Sequence, residues 1–153
     1  MSKRWPKGAA VIEQLVEARS LERLQRGASD GSLQLDRARR TVAAARAVVT
    51  IDPDTAYANA YDAVRMAGTA LLVHQGLRPT QSGGHRAVEE ALRAQFSPGF
   101  QEFSTLRRRR HEIEYPSSTF SQTSEAEASE AVELAAGYIE KAGLLMEQIG
   151  LFW

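Results

Sequence analysis

The sequence predicts an all-α protein: an antiparallel helical bundle of about five to six helices, taking residues 1–153 as a single helical domain. Three observations carry this. Apolar residues recur at three- and four-residue spacing through several long stretches. Four of the five prolines stand where those stretches begin or end. No convincing alternation of apolar and polar residues marks a strand.

The first helix is expected over about Gly8 to Arg26, with Val11, Ile12, Leu15, Leu21 and Leu24 apolar and Gly27 as its stop. A polar turn, Ala28 to Ser32, leads to a second, alanine-rich helix over about Leu33 to Val49. Asp52-Pro53 is a helix start: Asp caps, and Pro fits the first helical position because its missing N–H would be unpaired there. The third helix, about Pro53 to Gln75, has the clearest period, through Tyr57, Tyr61, Val64, Gly68, Leu71 and Leu72. Its Ala60, Ala67 and Gly68 leave room for a neighbouring helix to come close. Gly76 is a natural left-handed stop. The loop Leu77 to Gly84 precedes a short fourth helix, about His85 to Phe96, which Ser97-Pro98-Gly99 ends. The fifth runs from about Phe100 to Glu114, because Pro116 biases Tyr115 out of the helical region. Ser124, with Glu127 three residues on, opens the last helix as a capping box. Its expected buried stripe is Val132, Ala135, Tyr138, Ile139, Ala142, Leu145, Met146 and Ile149. The apolar tail Leu151-Phe152-Trp153 either packs on the bundle or docks into a second subunit.

Composition narrows the function classes. The chain has no cysteine, so disulfides, thiolate metal sites and a cysteine nucleophile are excluded. No apolar run approaches the roughly 20 residues of a membrane span, and no apolar stretch follows the basic N-terminus as a signal peptide requires. A cytoplasmic protein with no membrane partner is expected. Lys and Arg balance Asp and Glu over the whole chain. The balance is uneven, however. Residues 1–110 carry 18 basic and 11 acidic side chains, whereas residues 111–153 carry one Lys and eight Glu. Either basic and acidic helices pair within the fold, or a basic face awaits an anionic ligand.

The usual catalytic constellations are absent. There is no Gly-rich phosphate loop followed by Lys-Ser/Thr and no H-E-x-x-H. The histidines are His74, His85 and His111, none three or four residues from another, so no helical pair for a metal can be drawn and no metal or cofactor is expected. His74 and His85 read as structural or solvent-facing. The segment Leu106-Arg107-Arg108-Arg109-Arg110-His111-Glu112-Ile113-Glu114-Tyr115-Pro116 stands apart. Successive helical residues are about 100° apart, so four adjacent arginines point all round the helix. At least one must face a neighbour, a cleft or a second subunit. Arg108 with Glu112 and Arg110 with Glu114 are candidate i,i+4 pairs, and Arg107 lies one turn from His111.

Two places resemble the HEPN (higher eukaryotes and prokaryotes nucleotide-binding) family, over a core of about residues 33–149, with the helix at about 8–26 preceding it. Ala60-Tyr61-Asp62-Ala63 through Ala70-Leu71-Leu72, continuing to Gly76-Leu77-Arg78 and Gly84-His85, is similar to the second helix and following loop of small stand-alone members. Arg110-His111 matches the first two positions of the family's nuclease motif, which is Arg, a polar residue, a short spacer and His at the end of a helix. Tyr115 stands where that last His would be.

The resemblance implies a helical bundle, a homodimer, and an RNA-directed protein. It implies a metal-independent ribonuclease or toxin of a toxin–antitoxin or defence system, with transfer RNA among its candidate substrates. In such enzymes Arg holds the scissile phosphate, which suits its planar, permanently charged fork. His exchanges a proton with the ribose 2′-hydroxyl or the leaving oxygen. Carried over residue by residue, the candidate catalytic residues are Arg110, His111 and Tyr115, and the phosphate-binding residues are Arg107, Arg108, Arg109 and Arg110. Tyr115 is a departure: tyrosine has an ordinary pKa near 10, so it is a poor base at neutral pH and His111 is the substitute. The alternative is a catalytically inactive HEPN module that binds RNA or a nucleotide, or pairs with a cognate antitoxin or nucleotidyltransferase partner.

Overall fold

The structure, a computed structural model, describes residues 4–25 and 29–153. Its elements run α1 (Ala9–Glu17), β1 (Leu21–Arg23), α2 (Ser32–Val48), α3 (Pro53–His74), β2 (Leu77–Pro79), α4 (Gly84–Phe96), α5 (Phe103–Glu114) and α6 (Glu125–Met146). The protein is an all-α helical bundle with one small two-stranded sheet among the described residues.

The helix with the clearest apolar period, α3, is the centre. It packs on α2 and α6 and also against α4 and α5. Ala56, Ala60, Ala63, Val64, Ala67, Ala70, Leu71 and Leu72 are all fully buried, so apolar or small residues cover most of its circumference, as a surrounded helix requires. Asp52 caps its start, accepting from the Thr55 N–H and, at 2.6 Å, from the Thr55 hydroxyl, with Pro53 in the first turn. Gly76 ends the segment at φ 79°. Gly68 is where α4 comes close: a Cβ there would lie 2.5 Å from Leu92 Cδ1 and 3.1 Å from Val88.

The N-terminal helix expected over 8–26 is corrected. It stops at Glu17, and Arg19 takes a left-handed conformation at φ 60°. Leu21–Arg23 then pairs antiparallel with Leu77–Pro79, with Leu21 opposite Pro79, Glu22 opposite Arg78 and Arg23 opposite Leu77. Leu21 is buried, but through the strand rather than a helical stripe. The pairing partner lies more than fifty residues away, and three residues are too few to show an alternating pattern, so tertiary contact overrides the local helical reading. Arg26, Gly27 and Ala28, expected at the end of that helix and in the turn after it, lie outside the described residues.

The other helices fall within a few residues of expectation. α5 begins at Phe103 rather than near Phe100, and Phe100 is buried in the turn before it. Ser124 caps α6 by accepting from the Glu127 N–H at 3.1 Å. The reciprocal half of the box is not made, because the Glu127 carboxylate is drawn to Arg109. Within the expected stripe, Val132, Ala135, Tyr138, Ile139 and Ala142 are buried on α6 and Ile149 is buried beyond its end, while Leu145 and Met146 are half-buried. In the tail, Phe152 is fully buried, its N–H donates to the Gln75 carbonyl, and Arg4 lies over its ring. The tail thus packs on the bundle, with Leu151 and Trp153 half out. No helix among the described residues is long and apolar enough to cross a membrane.

Candidate functional site

The four consecutive arginines of α5 reach four different environments. Arg107 donates to Glu89 on α4 at 2.6 Å, and Glu89 is itself buried. Arg107 also borders a groove of about 630 Å³ that Arg86, Arg93, Glu89 and Glu90 share, so that groove is mixed in sign. Arg108 points to solvent and has no ion-pair partner among the described residues. Arg109 is spent on the fold. It donates to Glu127 at 2.8 Å, to Glu112 at 3.1 Å and to the Ser121 carbonyl at 2.8 Å. Burial opposes its charge, but the hydrogen bonds to Glu127 and Glu112 outweigh that and hold its pKa above the ordinary arginine value. The expected Arg108–Glu112 pair is therefore not formed, since Arg109 takes Glu112. The expected Arg110–Glu114 pair is formed.

Arg110 turns inward toward α3. Asp62 lies 3.9 Å from its guanidinium, whose carbon is 6.0 Å from the centre of the Tyr61 ring. Its Nε is buried and has no hydrogen-bond partner. His111 and Tyr115 go the other way. Both are exposed, Tyr115 by 64%, and their rings meet at 4.9 Å, tilted by 46°. The two consecutive motif residues Arg110 and His111 thus diverge, as the 100° step between helical neighbours demands. Among the described residues, no contact joins Arg110 to His111 or Tyr115.

What Arg110 meets instead is a cluster drawn from three helices. Tyr61 and Arg65 stand one turn apart on α3, with Asp62 beside them. Arg107 and Arg110 stand three residues apart on α5. His85 comes from the first turn of α4. The Tyr61 hydroxyl lies 2.9 Å from His85 Nδ1, and the two rings are 5.6 Å apart. Tyr61 is fully buried, and burial pushes its hydroxyl pKa up to about 12. His85 is exposed as a residue, although its Nδ1 faces inward. Its pKa is lowered, first by desolvation and then by the Arg65 and Arg110 charges, with Asp62 opposing. Its place in the first turn of α4, near the positive end of the helix, acts in the same direction. At pH 7 the imidazole is neutral and the phenol protonated. Arg65 makes no ion pair or hydrogen bond among the described residues, and its Nε is buried without a partner.

Local sequence explains how α4 starts there. Thr80 accepts from the Gly83 N–H at 3.0 Å through its hydroxyl, which donates to the Arg19 carbonyl. Gly83 lies so close to β1 that a Cβ would sit 2.0 Å from the Ser20 carbonyl oxygen. Only glycine lets the α4 start press against that edge, and His85 follows two residues later. Neither His85 nor Arg65 has a spacing in the sequence that marks it as part of a site. The histidine has no helical partner, and the arginine, three residues after Asp62 on α3, reads as one half of an i,i+3 ion pair.

Among the described residues, no group of three or more His, Asp or Glu side chains is placed to hold a metal ion. In comparisons with known proteins, no family model, no curated protein and no solved structure matches this chain.

Proposed function

We propose that this chain is a HEPN-type, RNA-directed protein that acts in the cytoplasm as a homodimer and cleaves RNA without a metal, as a toxin or defence effector. The observation that carries this reading is Arg110. It sits in the penultimate turn of α5, turned into the bundle, and keeps a buried Nε donor that no protein group accepts. A permanently charged fork with an unused donor suits a phosphate oxygen, and the neutral imidazole of His85 belongs to the same cluster. The helical-bundle fold and the Arg110-His111 sequence are what the family resemblance adds.

The test is cleavage of total RNA and purified transfer RNA in EDTA. Wild type should give discrete products. Arg110→Ala should slow their appearance by about 100-fold, in line with loss of one charged stabilising donor. Intact RNA in the wild-type lane, or unaltered products from Arg110→Ala, would sink the nuclease reading.

A second reading rests on Tyr115. The residue is 64% exposed at the C-terminal end of α5, where a nucleotidyltransferase partner could reach it. On this reading the chain is a regulatory module without turnover. Co-expression with such a partner would add one nucleotidyl mass to the wild type and none to Tyr115→Phe.

A further inference from the structure

We infer that His85, held by Tyr61 and flanked by Arg65 and Arg110, is the proton-carrying residue of a phosphate site, and that its ligand is a phosphodiester of RNA. This rests on the RNA-directed reading above and replaces His111 and Tyr115 in the proton-transfer role.

Geometry separates the two histidines. A general base needs a fixed tautomer and a free nitrogen aimed at its task. His111 is exposed, its ring meets the Tyr115 ring, and neither of its ring nitrogens has a hydrogen-bond partner among the described residues. His85 has its Nδ1 held at 2.9 Å by the Tyr61 hydroxyl, and its Nε2 has no protein hydrogen-bond partner among the described residues. In the tautomer that serves this role, Nδ1 carries the proton and donates it to the Tyr61 oxygen, which leaves the lone pair on Nε2, the free nitrogen.

The charges around the ring complete the site. From α3 come Tyr61, Asp62 and Arg65. From α5 come Arg107, which Glu89 neutralises, and Arg110, which Glu114 and Asp62 share. On α4 itself Arg86 is the next residue and Glu89 lies one turn on. Among the described residues Arg65 and Arg86 are the cations of this set without an ion pair, and Arg65 is the less exposed of the two. Its Nε and that of Arg110 are buried donors without acceptors, and both guanidinium charges act on the His85 imidazole. A phosphate supplies acceptors for both. It also supplies negative charge next to His85, which offsets the part of the lowering that comes from the Arg65 and Arg110 charges.

In cleavage, His85 Nε2 takes the ribose 2′-hydroxyl proton. The 2′-oxygen forms a bond to the adjacent phosphorus, and the bond from phosphorus to the 5′-oxygen breaks. The 5′-oxygen leaves with the bonding pair and is protonated by water. The imidazolium then returns its proton to the solvent hydroxide so formed. The products are a 2′,3′-cyclic phosphate and a 5′-hydroxyl, with no co-reactant consumed.

The experiment is a pH titration of the three imidazoles by NMR, with and without inorganic phosphate, run beside the cleavage assay. Without phosphate the His85 midpoint should lie below the ordinary histidine value. Phosphate should raise it by about one pH unit, as a nearby opposite charge does, and leave His74 unmoved. The rise should vanish in the Arg65→Ala, Arg110→Ala double variant. In the cleavage assay, His85→Gln should slow the reaction by about 100-fold, the lower range for general acid–base catalysis, and His74→Gln should not. The His74 and His111 signals report whether the His85→Gln variant is folded. A His85 midpoint indifferent to phosphate, or a rise that survives in the double variant, overturns the inference. So does cleavage retained in His85→Gln and lost in His111→Gln, which leaves the nuclease reading standing. Intact RNA with wild type, together with the phosphate-driven rise at His85, does the reverse: it removes the nuclease reading and supports the anion site.

Discussion

On one side of α5, Arg109 donates to Glu127, Glu112 and the Ser121 carbonyl, and its charge is neutralised within the fold. On another side, Arg110, together with Arg65 of α3, keeps a buried Nε without an acceptor, and the His85 pKa is lowered by burial and by both of their charges. The two sides share a sequence of identical residues, so residue type does not distinguish them. What distinguishes them is which carboxylates the fold brings within reach. α6 presents Glu127 to Arg109, whereas the adjoining face of α3 offers Asp62 at 3.9 Å and otherwise an aromatic ring. An arginine with a full set of acceptors is a clamp. One with a spare buried donor is poised for a ligand.

The comparison breaks most visibly in a pair of variants. Arg109→Ala should cost about 2–3 kcal/mol, because it removes charge-assisted hydrogen bonds and leaves Glu127 without its partner. For a chain of this size that is on the order of 5–10 °C in Tm by thermal melting. The phosphate-driven rise at His85 should persist in it. If Arg109→Ala melts like wild type, the clamp is not holding the fold. Next in size is Ser124→Ala, which removes the cap from the helix that supplies Glu127 and should cost about 1 kcal/mol in chemical denaturation. Arg108→Ala should change stability by less than about 0.5 kcal/mol, since its side chain is exposed and has no ion-pair partner among the described residues; a larger loss would show that Arg108 holds the fold.

The smallest effect is on pH dependence. His85 has a lowered pKa in the folded state, so the unfolded chain binds its proton more tightly. The folded state therefore carries this contribution above about pH 6.5 and loses it as pH falls through that value toward the depressed folded pKa. The drop in Tm across that window should be shallower in His85→Gln than in wild type. Equal slopes would mean the imidazole is not held neutral by the fold.

Much of the architecture was legible because it is local. The Asp52-Pro53 start, the Gly76 stop, the Ser124 cap and the stripe of small and apolar residues on α3 depend on groups within a few positions of each other. The closeness permitted by Gly68 was also readable, since a missing side chain is a property of the sequence itself. The two strands were not, because each is three residues long and meaningful only through a partner distant in the chain.

The site divides the same way. That four adjacent arginines must spread around a helix follows from helical geometry alone, and so does the divergence of Arg110 from His111. Arg110 as an inward-facing residue and Glu114 as its i,i+4 partner are consistent with that local arithmetic. Which arginine would be neutralised is not local. It depends on Glu127 and Glu89, which come from other helices, and on how closely each packs. Likewise His85 and Arg65 are 20 residues apart, with no shared period, and only the approach of α4 to α3 at Gly83 and Gly68 sets the imidazole beside the guanidinium. Sequence by itself determined where the helices other than the first begin, end and bury their faces, because backbone hydrogen bonding and apolar spacing act over one or two turns. Tertiary structure alone decided which charges meet and which remain unpaired, because electrostatic partnership depends on distance through space rather than along the chain.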